Sequence, residues 1–279
     1  MIGLAWYVFV VEVWASPERY ATQPGLATAL LVVWHVLLAP LIVSYLRCAL
    51  SDPGSTPAGY RGELGDEEMG SVTQDDSSAG DSQQETNMAL PRIETKRSGA
   101  PRYCHICKAF KPDRAHHCSI CNTCILRMDH HCPWVNNCVG FGNHKYFYLF
   151  LVWVFLALLF FSCTLASDFL GCFSTISNHC SVTLMIDYII NGAFTVSLGF
   201  FVAFHSYLIY KGSTTIEVFE RKRSRLKQRG RTYDLGWRRN VEEMLGTNKL
   251  YWFLPTRAHC SGDGLTYPAR DEAEGRLIV

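Results

Sequence analysis

The chain has 279 residues, of which 48% are hydrophobic and only 18% charged, and its net charge is +1. Soluble domains carry about 25% charged residues. Here the charges are also gathered into a few stretches separated by long apolar runs, which excludes an ordinary soluble enzyme and leaves an integral membrane protein.

In chain order, Ile2 to Ala15 is apolar apart from Glu12. Fourteen residues reach only about 21 Å as a helix. A signal peptide would need a basic n-region and an A-x-A-like cleavage site; both are missing, so residues 1–15 are read as a short or truncated first transmembrane helix. Gly25 to Leu46, interrupted by His35 and Pro40, supplies a second helix at 25–49, since roughly 20 apolar residues cross ~30 Å of hydrocarbon. Ser51-Asp52-Pro53-Gly54 is a turn signal. Residues 55–100 are rich in Ser, Gly, Gln, Asp and Glu and cannot bury enough surface to offset their ordering entropy, so 51–100 is expected to be a flexible cytosolic linker.

Between Cys104 and Cys138 lie seven of the twelve cysteines and five of the ten histidines. Cys104/Cys107 and Cys118/Cys121 are C-x-x-C pairs, which bring two thiolates to one tetrahedral zinc, and His117, Cys124, His131 and Cys138 can complete two four-ligand sites. An iron-sulfur cluster or unmetallated thiols are the alternatives. His105, His116, His130 and Cys132 are left over. The last two lie in Asp129-His130-His131-Cys132, where a spare thiol beside a spare imidazole that a carboxylate can orient is the arrangement for nucleophilic catalysis.

The spacing C-x2-C-x9-H-C-x2-C-x2-C-x4-D-H-H-C-x5-C resembles the cysteine-rich domain of the DHHC protein S-acyltransferases, integral membrane enzymes that palmitoylate proteins. The resemblance implies an all-α membrane protein, a bundle of four transmembrane helices with a cytosolic, loop-rich, two-zinc domain at 101–144 between helices 2 and 3. It implies Cys104, Cys107, His117 and Cys124 on one zinc and Cys118, Cys121, His131 and Cys138 on the other, although the spacing alone admits other pairings. It also implies Cys132 as the nucleophile, His130 as its base and Asp129 to orient the imidazole. Asp52-Pro53-Gly54 resembles a motif that the family carries at this place.

A third helix is expected at 145–170 and a fourth at 184–211, joined by a lumenal loop at 171–183 where Cys172 and Cys180 are candidates for a disulfide. Only thirteen residues separate Cys132 from Lys145, so the thiol lies within ~45 Å of the third helix even on an extended chain. Phe147, Phe150 and Ala157 share a face of that helix, where the family lines its acyl cavity; ordinary lipid-facing side chains are the plainer reading. Lys111 and Arg114 are candidates for the phosphates of the acyl-CoA co-substrate, or simply keep their loop soluble.

The region 212–279 is expected to be cytosolic. Lys211 to Glu217 has the form of a capping box, and Thr214-Thr215-Ile216-Glu217 resembles the family's Thr-Thr-x-Glu motif, in which Thr215 and Glu217 buttress the active site. Asn240 occupies the Asn position of the family's C-terminal motif. The basic run Glu220 to Arg231 reads first as a positive-inside determinant, from which contact with anionic lipid follows; nucleic acid is not expected beside a transmembrane helix. Leu277-Ile278-Val279 is suited to docking in a PDZ domain.

All but one of the 26 Lys and Arg residues, Arg19, fall in 47–145 or from Lys211 onward, which places those stretches in the cytosol. Family habit points to the Golgi or endoplasmic reticulum, or the plasma membrane. The expected partners are the lipid bilayer and substrate proteins with accessible cysteines. The competing function is a non-catalytic, membrane-bound zinc adaptor or scaffold; a RING-like module, however, needs a C-x-x-C pair near the end of the motif, where this chain has an isolated Cys138.

Overall fold

The computed structural model describes residues 3, 6, 7, 9, 10, 24–57, 60, 101–173, 182–223, 231–257, 262–271 and 277–278. These fall into two compact units, one made of 1–51, 143–213 and 234–260, the other of 52–142, 214–233 and 261–279.

The first unit is helical. Helices α1 (Pro24–Leu50), α2 (His144–Gly171) and α3 (Val182–Tyr210) are each long and apolar enough to cross a membrane. Gly3, Trp6, Tyr7, Phe9 and Val10 are helical too. The shared core holds Phe9, Trp34, Leu38, Ala157, Phe161 and Leu165, with Phe9 stacked on Trp34 at 4.8 Å. Many other apolar side chains face outward, Val36, Val196 and Phe200 among them, as expected where lipid is the solvent. In such a solvent polar side chains act as interhelical ties. Ser162 donates to the Asn191 side chain at 3.0 Å, and the Tyr188 hydroxyl donates to the Ser162 carbonyl at 3.1 Å. Pro40 sits inside α1, and the Ser44 hydroxyl donates to its carbonyl at 2.6 Å. Cys172, just past α2, is disulfide-bonded; Cys180 lies outside the described residues.

After α3 the chain returns through α5 (Trp237–Leu245) and a 3-10 turn at Lys249–Tyr251. Asn240 is buried and holds this return in place. Its amide nitrogen donates to the Tyr210 carbonyl at the end of α3 and to Asp234, and its oxygen accepts from the Leu235 N–H. The stretch that follows has alternate carbonyls taken by side chains of α1 and α2. Lys145 donates to Tyr251, Trp153 to Phe253 and Arg47 to Pro255, so the backbone is satisfied while Leu250, Phe253 and Leu254 remain exposed.

The second unit is a run of three antiparallel hairpins: β1 (Tyr103–Cys104) with β2 (Ala109–Phe110), β3 (His116–Cys118) with β4 (Thr123–Ile125), and β5 (His130–Cys132) with β6 (Asn137–Val139). Its core is small, with Cys118, Ile125, Met128 and Cys138 packed against Ile216 of α4 (Thr215–Arg223). Strands β7 (Arg231–Thr232), β8 (Ala269–Asp271) and β9 (Leu277–Ile278) form a separate sheet. Leu277 and Ile278 therefore pair with β8 rather than forming the free tail that PDZ docking requires; Val279 is outside the described residues.

The beginning of the expected linker is bonded to the hairpins instead of hanging free. The Asp52 carboxylate accepts from the N–H groups of Gly54 and Ser55, closing a turn. Residues 54–56 then pair along the open edge of β4, with Leu126 N–H to Gly54 at 2.8 Å and Thr56 N–H to Cys124 at 2.9 Å. Composition hides such an edge strand because its bonds are all backbone bonds. Residues 61–100 lie outside the described set.

Gly140 packs where this strap crosses the segment that leaves β6. A Cβ there would meet Ile125 Cγ2 and the Pro53 carbonyl, both at 2.6 Å. Overpacking a site of this kind costs about 1–3 kcal/mol. Gly140→Ala should lower the thermal midpoint of the zinc-loaded protein and speed zinc loss to a chelator; an unchanged midpoint and zinc-loss rate would mean that the strap does not hold the hairpins.

Candidate active site and metal centres

Successive side chains of a strand point to opposite faces, and this sorts the ligand candidates. On β3, His117 and Cys118 diverge, and His117 lies across from Cys124. On β5, His131 lies across from Cys138, while His130 and Cys132 take the other face. The C-x-x-C turns supply the remaining thiols. Each is followed by a left-handed residue, Lys108 with φ 52° or Asn122 with φ 53°, and in each the second cysteine's N–H points at the first sulfur, at 3.5 Å for Cys104 and 3.4 Å for Cys118.

Two four-ligand groups result: Cys104, Cys107, His117 and Cys124, and Cys118, Cys121, His131 and Cys138. Within the second, His131 Nδ1 is 3.4 Å from Cys121, 3.5 Å from Cys138 and 3.7 Å from Cys118, and the Cys121 and Cys138 sulfurs are 3.5 Å apart. In the first, His117 Nδ1 is 3.3 Å from Cys107 and 3.9 Å from Cys124. A tetrahedral ion with Zn–S of ~2.3 Å and Zn–N of ~2.0–2.1 Å has edges of roughly 3.5–3.8 Å. Both donor sets fit a zinc ion. This is the interleaved pairing, and it leaves His105, His116, His130 and Cys132 outside.

Asp129 is fully buried and its carboxylate accepts three hydrogen bonds. His130 Nδ1 donates to Oδ2 at 2.7 Å, Thr215 N–H to Oδ1 at 2.8 Å and the Thr215 hydroxyl to Oδ2 at 2.8 Å. With Nδ1 so engaged, Nε2 is the nitrogen left for Cys132, which lies on the same face of β5 as His130. Burial alone would lower the His130 imidazole, but bonds to Asp129 and Cys132 raise it to about 9. Burial pushes the Cys132 thiol up, yet the bond from His130, the backbone N–H groups of Val135 and Trp134 and the imidazolium charge bring it below its usual value. Charge on either partner therefore favours charge on the other. Sequence reading missed the two backbone donors; the signal was Pro133, which turns the chain straight after Cys132 and aims the next N–H groups back at it.

Glu217 completes the capping box of α4. Its carboxylate accepts from Thr214 N–H at 3.0 Å, and the Thr214 hydroxyl accepts from Glu217 N–H at 3.4 Å. Arg114 grips the same carboxylate with two bonds, Nε to Oε1 at 2.7 Å and Nη2 to Oε2 at 3.0 Å. Arg114 is only 2% exposed, so it buttresses Glu217 instead of reaching for CoA phosphates. The charge that suggested a phosphate ligand is consumed inside the domain. Lys111 is partly exposed. In the helical unit, Ala157 lies in the core with Phe150 packed on its edge, and Phe147 is buried against the His205 ring at 5.1 Å.

The family model for DHHC palmitoyltransferase matches residues 97–222. Probable protein S-acyltransferase 12 of Arabidopsis thaliana is 34% identical over 274 residues, spanning 95% of this chain and 87% of that protein. Palmitoyltransferase ZDHHC20-B of Danio rerio is 31% identical over 96% of this chain and 84% of its own length. Palmitoyltransferase ZDHHC20 of Homo sapiens is 32% identical over 95% of this chain and 73% of its own.

A lowered thiol pKa has a direct consequence for reactivity. As pH falls, the thiolate is lost only on passing through the lowered value, so alkylation of Cys132 in the zinc-loaded protein should have its midpoint below the ~8.5 of a free thiol. Asp129→Asn removes the charge that holds the imidazolium, and the midpoint should rise by about one unit or more. Identical midpoints in the two proteins would contradict the coupling.

Proposed function

The chain belongs to the DHHC palmitoyltransferase family, and from that premise we propose that it moves a long-chain acyl group from acyl-CoA to cysteine thiols of substrate proteins through a thioester on Cys132. The observation that carries this reading is that Asp129 accepts from His130 at 2.7 Å while His130 shares a face of β5 with Cys132, all three outside both four-ligand groups.

Cys104, Cys107, His117 and Cys124 would hold one zinc ion, and Cys118, Cys121, His131 and Cys138 the other. When bound, the ions supply folding free energy to a domain whose apolar core is too small to do so alone, on the order of 10–16 kcal/mol in zinc-finger peptides. The chemistry belongs to the side chains. The Cys132 thiolate attacks the acyl-CoA carbonyl, the new carbon–sulfur bond forms as the bond to CoA breaks, and the departing CoA thiolate takes the proton held by His130. In the second half His130 accepts the proton of a substrate cysteine. That sulfur attacks the acyl-enzyme, and Cys132 leaves as thiolate. Asp129 keeps the imidazole oriented and stabilises its charged form. One thioester becomes another, so no external energy source is required, and ping-pong kinetics follow.

The fatty chain explains the membrane. Exposing about fourteen methylenes to water would cost on the order of 11 kcal/mol, so the tail stays in lipid or in a cavity within it. A fourth, short transmembrane helix within residues 1–15 is supported by the buried Phe9 stacked on Trp34. The distribution of basic residues supports cytosolic placement of the hairpins and of the C-terminal region. Golgi or endoplasmic reticulum is the proposed compartment, on family habit, with the plasma membrane as the alternative. Lys111 is the remaining proposal for CoA phosphates, and Phe147, Phe150 and Ala157 for the acyl chain.

Purified protein incubated with labelled palmitoyl-CoA should acquire hydroxylamine-labile label. Cys132→Ser should lose the label and keep its zinc, and label retained in that variant would refute the mechanism. If Ala157 lines the acyl cavity, Ala157→Phe should shift selectivity towards shorter acyl-CoAs in competition assays, and an unshifted profile would remove it from the cavity.

A further inference from the structure

The Asp129 carboxylate depends on Thr215, and Thr215 stands at the start of α4, whose first turn is closed by Thr214 and Glu217. Glu217 in turn depends on Arg114. Nothing in the reaction asks for this arginine, yet it is buried in a left-handed conformation, φ 61°. Its guanidinium lies over two aromatic rings, Tyr233 at 4.4 Å and Tyr267 at 5.1 Å from the ring centroids, and the rings are 6.1 Å apart and nearly perpendicular.

The second ring comes from the far end of the chain. The tail bonds to the hairpin segment where the Leu265 carbonyl accepts from Asp113 N–H at 3.3 Å, and within the tail the Asp263 side chain accepts from Leu265 N–H at 2.9 Å, closing a turn. Gly264, with φ +78°, passes so close to Phe141 that a Cβ would stand 2.8 Å from the ring. Only glycine fits both the backbone angle and the gap. Tyr267 also meets Phe141 edge-on, with centroids 6.5 Å apart.

We infer that Tyr267, carried in by the C-terminal tail, and Tyr233 are positioning residues for the acyl-transfer centre: they bracket Arg114, which fixes Glu217 and the start of α4, and so fixes Asp129 behind His130 and Cys132. The inference deepens the acyl-transfer reading and rests on it. The bracket acts through ring faces, so a phenyl ring serves as well as a phenol. A cation over an aromatic face contributes about 0.5–1 kcal/mol when exposed and about 2 when desolvated, which sets the size of the effect at roughly three- to thirtyfold in rate.

The test uses the full-length, zinc-loaded protein. Tyr267→Ala and, independently, Gly264→Val should slow acyl-enzyme formation at saturating palmitoyl-CoA roughly three- to thirtyfold, with the KM for palmitoyl-CoA and the zinc content unchanged. Tyr267→Phe should restore the wild-type rate. Wild-type loading in Tyr267→Ala would overturn the inference, as would loss of zinc in step with rate, or failure of the phenylalanine variant to rescue. The rate of Cys132 alkylation by iodoacetamide, which needs no acyl-CoA, should fall in the same variants. It judges the bracket even if Cys132→Ser retained the acyl label, an outcome that would sink the acyl-enzyme reading alone.

Discussion

Two groups of three thiols and one imidazole stand where a hydrophobic core would stand in a larger domain. The hairpin unit buries few apolar side chains, and its β-ladders are two or three residues long. Strands that short do not persist on their own. What orders them is strand alternation acting on ligand chemistry: neighbours on β3 go to different groups, and the cross-strand pairs His117/Cys124 and His131/Cys138 each close one. The same alternation turns His130 and Cys132 away from the ligands. A thiol that is to stay free among eight candidate ligands needs such a rule, because zinc would otherwise compete for it.

Around that thiol the polar groups form one connected series. Asp129, buried and accepting three hydrogen bonds, is held by Thr215, which opens the helix that Glu217 caps and Arg114 braces. A buried guanidinium is expensive alone and tolerable in a bidentate pair with a carboxylate that has further bonds, as Arg114 has with the half-buried Glu217. Such a series transmits misplacement as well as order, so the orientation of the His130 imidazole depends on Thr215, 86 positions from Asp129 in the chain.

Much of this was legible in the residues, for identifiable reasons. Long apolar runs give long helices, as in α1, α2 and α3. Ligand spacing and the capping box are local patterns and read directly. What did not read was long-range or carried by backbone. The edge strand at 54–56 bonds through main-chain groups that composition does not reveal. Arg114 looked like a phosphate ligand because its acceptor, Glu217, is 103 residues distant. Tyr267 and Gly264 lie in a tail with no motif, and the pairing of Leu277 and Ile278 with β8 is non-local in the same way.

The central claim is that two zinc ions are held by three sulfurs and one nitrogen each while Cys132 stays free. The most direct measurement combines zinc X-ray absorption with peptide mapping of the alkylated, metal-loaded protein. The account predicts two zinc ions per chain, three sulfur ligands and one nitrogen ligand on each, and alkylation at Cys132 with both ions retained. A sulfur count that includes Cys132, or alkylation there only after zinc is lost, would contradict it.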